Sequence, residues 1–136
     1  MTDAMEFVAD RQKGVLATIR RNGRPQLSNI VYAVLDDEIW ISVTDDRAKT
    51  HNVRRDPRAS LHVTSEDFWS YVVVEADAEL GPLAEEPGDA GTVQLRELYR
   101  EIRGEHHDWE EYDGAMIGDR RRVLTLHPRH TYGKTR

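Results

Sequence analysis

Residues 15–35, VLATIRRNGRPQLSNIVYAVL, contain two runs of mainly apolar and β-branched residues on either side of a polar turn. The dipeptide Asn22-Gly23 at the centre is the strongest short-range signal of a β-hairpin, because both residues tolerate the backbone angles of a tight turn. Alternate side chains of a strand point to opposite faces, and both faces of residues 26–35 carry apolar groups. The stretch therefore predicts antiparallel strands at residues 15–19 and 26–35, covered at least in part on both sides.

The patterns outside the hairpin extend it into a small β-rich domain. Alternation of apolar and polar residues predicts four more strands, at residues 39–44, 58–64, 69–80 and 123–126. Three helices are predicted, at residues 3–11 with a capping box from Asp3 to Glu6, at residues 47–55 with Asp45 or Asp46 as cap, and at residues 92–103 from an amphipathic stripe. Residues 105–118 are polar and compatible with a further short helix. The expected fold is a mainly β, six-stranded antiparallel barrel with flanking helices.

Length and composition limit the classes of function. With 136 residues, the chain is expected to form one domain over residues 1–136. Its net charge of -6 argues against nucleic acid as a partner. The absence of cysteine excludes thiolate nucleophiles, iron–sulfur clusters and Cys-based zinc sites. The N-terminal residues resemble no signal peptide, and no apolar run approaches the roughly 18 residues of a membrane helix. We therefore expect a cytoplasmic protein with neither nucleic acid nor membrane as partner.

The start of the second predicted helix carries three side chains suited to an anion. Arg47, Lys49 and Thr50 lie in its first turn, where cations oppose the helix dipole by about 0.3–1 kcal/mol each. A bound phosphate would offset this cost, because the N–H groups of the helix and the three side chains could converge on it. The alternative is a solvated surface on which Asp45 and Asp46 neutralise the cations. The residues alone leave both interpretations open.

Other polar groups allow weaker predictions. Gln26, Ser28 and Asn29 could hydrogen-bond a planar heterocycle lying along the second strand, although simple surface exposure explains them equally well. The histidines are too scattered to predict a metal site, because no pair has a typical ligand spacing. The basic run at residues 120–122 and the acidic run at residues 105–113 are expected to be solvated faces.

Several motifs, in order along nearly the whole chain, together resemble the pyridoxamine-phosphate-oxidase-like split-barrel superfamily, and its deazaflavin branch most closely. They are Gly14-Val15-Leu16-Ala17-Thr18-Ile19, Gly23-Arg24-Pro25-Gln26-Leu27-Ser28-Asn29, Arg47-Ala48-Lys49-Thr50-His51-Asn52-Val53-Arg54-Arg55-Asp56-Pro57-Arg58-Ala59, Trp69-Ser70-Tyr71, Leu98-Tyr99-Arg100 and His130-Thr131-Tyr132-Gly133.

The resemblance implies a homodimer of six-stranded split barrels with two cofactor sites at the interface. It implies coenzyme F420, an 8-hydroxy-5-deazaflavin, in place of FMN, and hydride transfer to a flat unsaturated acceptor such as an enone, a quinone or a tetrapyrrole. Carried over by position, the cofactor-binding residues fall into four groups. Arg47, Lys49 and Thr50, with Ala48 between them, would hold the phosphate; Pro25, Gln26, Leu27, Ser28 and Asn29 would line the ring; Ser42 and Asn52 would add polar contacts; Trp69 and Tyr71 would come from the partner subunit.

One departure from the family pattern bears on the activity. Pyridoxamine phosphate oxidases end in an Arg-Leu-x-Pro type segment, whereas this chain has Leu126-His127-Pro128-Arg129, so vitamin B6 oxidation is disfavoured. The alternatives to an F420-dependent reductase are an FMN enzyme of the same fold, a non-catalytic protein that binds F420 or a tetrapyrrole, and a structural module. Tyr32 is a candidate proton donor, with core packing of Tyr32 and protonation by solvent as the alternatives.

Overall fold

A computed structural model describes residues 1–135 of the chain. Its elements, in chain order, are α1 (Asp3–Ala9), β1 (Lys13–Ile19), β2 (Pro25–Leu35), β3 (Glu38–Thr44), α2 (Ala48–Arg55), β4 (Arg58–Thr64), β5 (Tyr71–Leu80), α3 (Ala90–Arg103), α4 (Trp109–Gly118) and β6 (Arg121–Lys134). The strands form a closed antiparallel barrel in the order β1-β2-β3-β6-β5-β4, which confirms the predicted fold class.

The barrel is split along one side of β2. From Pro25 to Val31 this strand pairs with β1, but it pairs with β3 only from Tyr32 to Leu35. On its other edge β3 pairs with β6 from Ile39 to Thr44, so its last residues, Ser42 to Thr44, have β6 but not β2 as a neighbour. One edge of β2 therefore has no partner strand over residues 25–31 within the described chain, and a groove opens there.

Two apolar clusters hold the fold together. The first fills the barrel with the inward side chains of all six strands, together with Met5 and Val8 of α1 and Val53 of α2. The second lies outside the barrel, where Leu95 and Leu98 of α3 and Tyr112 of α4 pack on the outer face of β2, β3 and β6. The outer face of β2 is thus covered at its C-terminal end and open towards its start, where Leu27 is 62% exposed.

The predicted hairpin is confirmed, with a turn built around a single glycine. The N–H of Gly23 donates to the carbonyl of Arg20, and the N–H of Arg20 donates to the carbonyl of Arg24, at 2.9 Å each. Gly23 has a φ of 83°, whereas Asn22 keeps a negative φ. This is a three-residue loop with its left-handed residue at Gly23, which a side chain would strain.

The C-terminal strand is much longer than predicted. Residues 123–126 are the apolar part of β6, which continues to Lys134 beside β5. Its second half is polar and contains Pro128, which cannot donate to a ladder. A register shift between Glu75 and Ala76 leaves Arg129 unpaired and accommodates Pro128. The sequence did not predict this half, because it lacks apolar alternation and is a strand only through its pairing with β5.

Helix boundaries also differ from the sequence prediction. Thr2, not Asp3, caps α1, accepting a 3.2 Å hydrogen bond from the N–H of Met5, and the helix ends at Ala9. Neither Asp45 nor Asp46 caps α2, because its cap position is Arg47. The polar segment 105–118 does contain a helix, α4, capped by Asp108.

Candidate functional site

The start of α2 lies beside the groove and is not capped by a side chain. Arg47 occupies the cap position and makes no side-chain hydrogen bond there, so the first backbone N–H groups of the helix keep their donor capacity. The Thr50 hydroxyl donates a 2.7 Å hydrogen bond to the carbonyl of Thr44, which ties the helix to the end of β3. This arrangement presents the positive end of the helix dipole to an anion.

Three cations surround this helix start. Lys49 is half-buried, and burial together with the nearby guanidinium groups of Arg47 and Arg121 lowers its pKa. Within residues 1–135, Lys49 and Arg47 form no ion pair with a carboxylate. Crowded like charges are unfavourable in the free protein, and a bound anion would relieve their repulsion. Lys49 therefore has the surroundings of an anion ligand and not those of a paired surface lysine.

Asp45, two residues before Arg47, is bound by arginines. Asp45 binds Arg122 at 2.9 Å, and Arg54 and Arg120 bind the same carboxylate. The hydrogen bond from Arg122, followed by those from Arg54 and Arg120, lowers the pKa of Asp45 to about 2 against the opposing effect of burial. Asp45 is thus ionised, and three guanidinium groups bind its charge.

Arg121 is a site residue that sequence analysis missed. It donates a 3.3 Å hydrogen bond to the hydroxyl oxygen of Ser42 and lies 3.6 Å from Asp119, so it joins β6 to β3 at the edge of the groove. In the sequence it is the middle residue of three arginines and looks like a solvated charge. Only the alternation of β6 separates it from Arg120 and Arg122, which contact Asp45.

The groove at the split has a volume of about 590 Å³. Its polar end holds Lys49, Ser42 and Arg121, and its remaining wall is largely apolar and aromatic. The full lining is Asn29, Ile30, Val31, Ile41, Ser42, Lys49, Leu98, Tyr99, Ile102, Arg103, Tyr112, Met116, Asp119 and Arg121. A concave site with an apolar body and a few polar groups at one end is typical of a cofactor site.

The structure brings together some of the residues that the sequence assigned to the cofactor. Asn29, Ser42 and Lys49 line this one groove, and Arg47 lies at the start of α2 beside them, next to Ala48. Gln26, Leu27 and Ser28 precede Asn29 on β2, and Leu27 is exposed. Pro25 lies apart, in a shallower groove of about 450 Å³ near Arg58 and His130.

Thr50 and Asn52 have structural roles that the sequence did not reveal. Both are buried. The side-chain amide of Asn52 donates to the Thr18 hydroxyl at 3.0 Å, which joins α2 to β1, and its Oδ1 accepts a 3.1 Å hydrogen bond from the Arg55 guanidinium. With the Thr50 hydroxyl bound to Thr44 and the Asn52 amide bound to Thr18, both side chains are engaged within the fold, and their predicted contacts to a ligand stay predictions.

Trp69 and Tyr71 do not line the groove of the same chain. They lie at the β4–β5 turn, where Trp69 is 63% exposed and the Tyr71 ring stacks on His62 at 5.6 Å. A larger groove of about 890 Å³ lies in this region and is lined by His62 and Phe68, among others. The prediction that these aromatic residues act on a partner's site stays a prediction.

Tyr32 belongs to the barrel interior. It is fully buried, and its hydroxyl donates a 2.6 Å hydrogen bond to the carbonyl of Val8, which fastens α1 across the barrel. Burial raises the pKa of the phenol well above its usual range. A proton held in this way does not reach the groove, so the structure supports core packing and not the role of proton donor.

Histidine 127 forms the other notable charged cluster. Its Nδ1 lies 2.5 Å from Glu38 and its Nε2 lies 2.9 Å from Glu79, and the hydrogen bond to Glu79, followed by the charge of Glu38, raises the pKa of the ring.

Within residues 1–135, no group of three acidic or histidine side chains has the geometry of a metal site. In the same part of the chain, no helix has the length and apolarity needed to span a membrane.

Solved structures of similar shape match this chain over nearly its whole length. A conserved hypothetical protein from Mycobacterium tuberculosis is 29% identical, with a TM-score of 0.76 over 98% of this chain and 84% of that one. An F420 reductase is 22% identical, with a TM-score of 0.71 over 97% and 98%. The heme storage protein HutZ from Vibrio cholerae is 18% identical, with a TM-score of 0.70 over 93% and 89%.

The comparison with family models finds a match along nearly the whole chain. The match covers residues 1–134, which includes every strand and helix described above. The family is described as pyridoxamine 5'-phosphate oxidase. On this evidence, the chain belongs to the pyridoxamine 5'-phosphate oxidase family.

Proposed function

We propose that the protein is an F420-dependent oxidoreductase that reduces a flat unsaturated acceptor of the enone, quinone or tetrapyrrole class. The observation that carries this proposal is the uncapped, cationic start of α2 at the polar end of an apolar groove. Lys49 and Arg47 have no acidic partner within the described residues, and Arg121 stands beside them. A phosphate supplies the anion that this arrangement lacks.

The residues present fit a phosphorylated planar coenzyme. The phosphate would lie between the N–H groups of α2, Lys49 and Arg121, and the ring would extend along β2 towards Asn29 and Val31. A groove of about 590 Å³ is within the roughly 300–1,000 Å³ range of small-molecule sites. The donors therefore match the charge of such a ligand, and the groove matches its size.

When bound in its reduced form, the coenzyme supplies a hydride. The task of this chain is to hold it and to leave one face open to the acceptor. Lys49, Arg47 and Arg121 anchor one end, and the apolar wall excludes water from the other. Correct orientation of two reactants can contribute several of the roughly 7–11 kcal/mol available from positioning.

A homodimer is part of the same proposal. Large apolar side chains are exposed on the open outer face of the barrel and on the β4–β5 turn, namely Leu27, Val31, Phe68, Trp69 and Tyr132. Val31 and Phe68 line one groove, and exposed apolar groups that lie together mark an interaction surface. A second copy would cover them and bring its Trp69 and Tyr71 towards the groove of the first.

Two observations favour F420 over FMN: the motifs shared with the deazaflavin branch, and the likeness in fold to an F420 reductase. An FMN enzyme of the same fold is the alternative, because the phosphate anchor would serve either coenzyme. The other alternative is a protein that binds F420 or a tetrapyrrole without catalysis. The likeness in fold to a heme storage protein is the reason to test it.

The deciding experiment is a parallel fluorescence titration of the purified protein with F420 and with FMN. We expect saturable binding of F420 and much weaker binding of FMN. The reduced coenzyme is then supplied with an enone, a quinone and a tetrapyrrole, and oxidation is followed by absorbance. The reverse preference would assign the protein to the flavin enzymes, and tight binding without turnover of any acceptor would assign it to the binding proteins.

A further inference from the structure

The hairpin of α3 and α4 forms the second wall of the groove, opposite β2. Its position is fixed by polar contacts to the barrel and within the hairpin. The Gln12 side chain donates to the carbonyl of Ile102 at 3.2 Å, and Arg96 donates two hydrogen bonds, of 2.9 and 2.6 Å, to the buried carboxylate of Asp113. The side chains on this wall therefore have a defined place relative to the groove.

Tyr99 is held on this wall by three aromatic neighbours. The centre of its ring lies 5.0 Å from that of Tyr112, 5.1 Å from that of His106 and 5.7 Å from that of Trp109, each with the planes crossing at 61° or more. Edge-to-face contacts of this kind are favourable and directional. The orientation of the Tyr99 ring is thus set before any ligand binds.

The hydroxyl of Tyr99 has no hydrogen-bond partner among residues 1–135. The other tyrosine of the groove, Tyr112, differs, because its hydroxyl donates to the carbonyl of Leu95 at 2.9 Å. A half-buried phenol usually finds a partner for its O–H group. Tyr99 lines the groove, so a ligand in the groove can provide that partner.

The other donors of the groove have different places. Lys49 and Arg121 stand at the polar end, beside the start of α2. Around Tyr99 the wall is largely apolar, with Ile102 and Met116 in the lining, and α3 also contributes Arg103. A ring placed there would therefore meet the oriented neutral donor of Tyr99 in a largely apolar wall.

We propose that the hydroxyl of Tyr99 donates a hydrogen bond to an acceptor oxygen on the ring of the ligand whose phosphate is held at the start of α2. This inference rests on the proposed function, and it adds that the ligand carries a carbonyl or phenolate oxygen on its ring. Tyr99 is a binding residue in this assignment, and the aromatic cluster around it is the device that positions it.

The test uses Tyr99→Phe, which keeps the packed ring and removes only the hydroxyl. We expect the affinity for F420, measured by calorimetry, to fall about three- to tenfold, the effect of one neutral hydrogen bond. The absorption maximum of the bound coenzyme should move towards its value in solution, and the melting temperature of the free protein should stay unchanged. Tyr112→Phe serves as the comparison, since it loses a buried intramolecular hydrogen bond and should melt at a lower temperature.

Each outcome has one meaning. Equal affinity and an unchanged spectrum for Tyr99→Phe would overturn the role of Tyr99 and leave the proposed function intact. A lower melting temperature for Tyr99→Phe, with an unchanged spectrum of the bound coenzyme, would assign it a structural role instead. Failure of the natural protein to bind either F420 or FMN would overturn the proposed function, and this inference with it.

Discussion

Asp45 and Arg122 form a 2.9 Å ion pair that joins the turn after β3 to β6. Arg121, one residue earlier, contacts Ser42 and lines the groove. Neighbouring residues of one strand thus serve two purposes, because alternate side chains leave the strand on opposite sides. The pair binds the charge of Asp45 outside the groove, whereas Arg121 lines the groove.

Removing the charge of Asp45 should destabilise the fold in a manner that depends on pH. We expect Asp45→Asn to lower the free energy of unfolding by about 1–2 kcal/mol near neutral pH, since three partly exposed charge-assisted hydrogen bonds weaken. The pKa of Asp45 is lowered to about 2, so its stabilisation is present above the pKa of the unfolded carboxyl and is lost as the pH falls.

Urea unfolding of the two proteins at several pH values checks this expectation. The difference between them should disappear between about pH 4 and pH 2. Asp46→Asn, an exposed neighbour with no ion pair among the described residues, is the control and should unfold like the natural protein. A difference that persists unchanged in acid would contradict the assigned cause.

Lys49→Ala should weaken coenzyme binding without harming the fold. A charge-assisted hydrogen bond to phosphate contributes about 1.5–3 kcal/mol, so we expect the dissociation constant of F420 to rise by at least about tenfold. The free protein should melt at the same temperature or slightly higher, because a crowded positive charge is removed. Calorimetry gives the affinity, and Arg21→Ala, in the exposed hairpin loop, is the matched loss of charge. Unchanged affinity would remove the phosphate from this site.

His127 should stabilise the protein more in mild acid than in base. Its pKa is raised, so the stabilisation is complete below the pKa of an unfolded histidine and is lost as the pH rises through the folded value. Thermal melting of His127→Gln should therefore show a larger deficit near pH 6 than near pH 9. His130→Gln, exposed on the same strand, provides the comparison, and an equal deficit at both pH values would refute the ionic contribution.

Leu27→Asp should disrupt the proposed dimer. An aspartate placed in an apolar interface is costly to desolvate, so analytical ultracentrifugation should show a monomer where the natural protein sediments as a dimer. Coenzyme binding should weaken with it, because part of the site would come from the partner. Val93→Asp, at an exposed apolar residue on α3, tests whether any such charge has the same effect. A monomeric natural protein would refute the shared site.

The sequence was sufficient for the barrel but not for the details of its site. Alternation and the Asn-Gly turn predicted all six strands, and β4 had the predicted bounds, because those patterns arise from local geometry. The sequence did not show which polar side chains are buried within the fold. Thr50 and Asn52 have the residue types of ligands, yet they bond within the fold, whereas Arg121 has the residue type of a surface charge and lines the groove. Which of these side chains is engaged within the fold and which lines the groove depends on how distant strands pair, and local sequence patterns do not contain that information.

In the proposed site, the open edge of β2 would give ligand recognition a component that mutation of side chains cannot remove. Over residues 25–31, every second peptide group points away from β1 and has no strand opposite it. A heterocycle lying along that edge would meet main-chain donors and acceptors at fixed intervals. Alanine scanning of residues 26–29 would then underestimate how much this strand contributes, and the side chains there would be free to diverge among relatives while the binding edge itself persists.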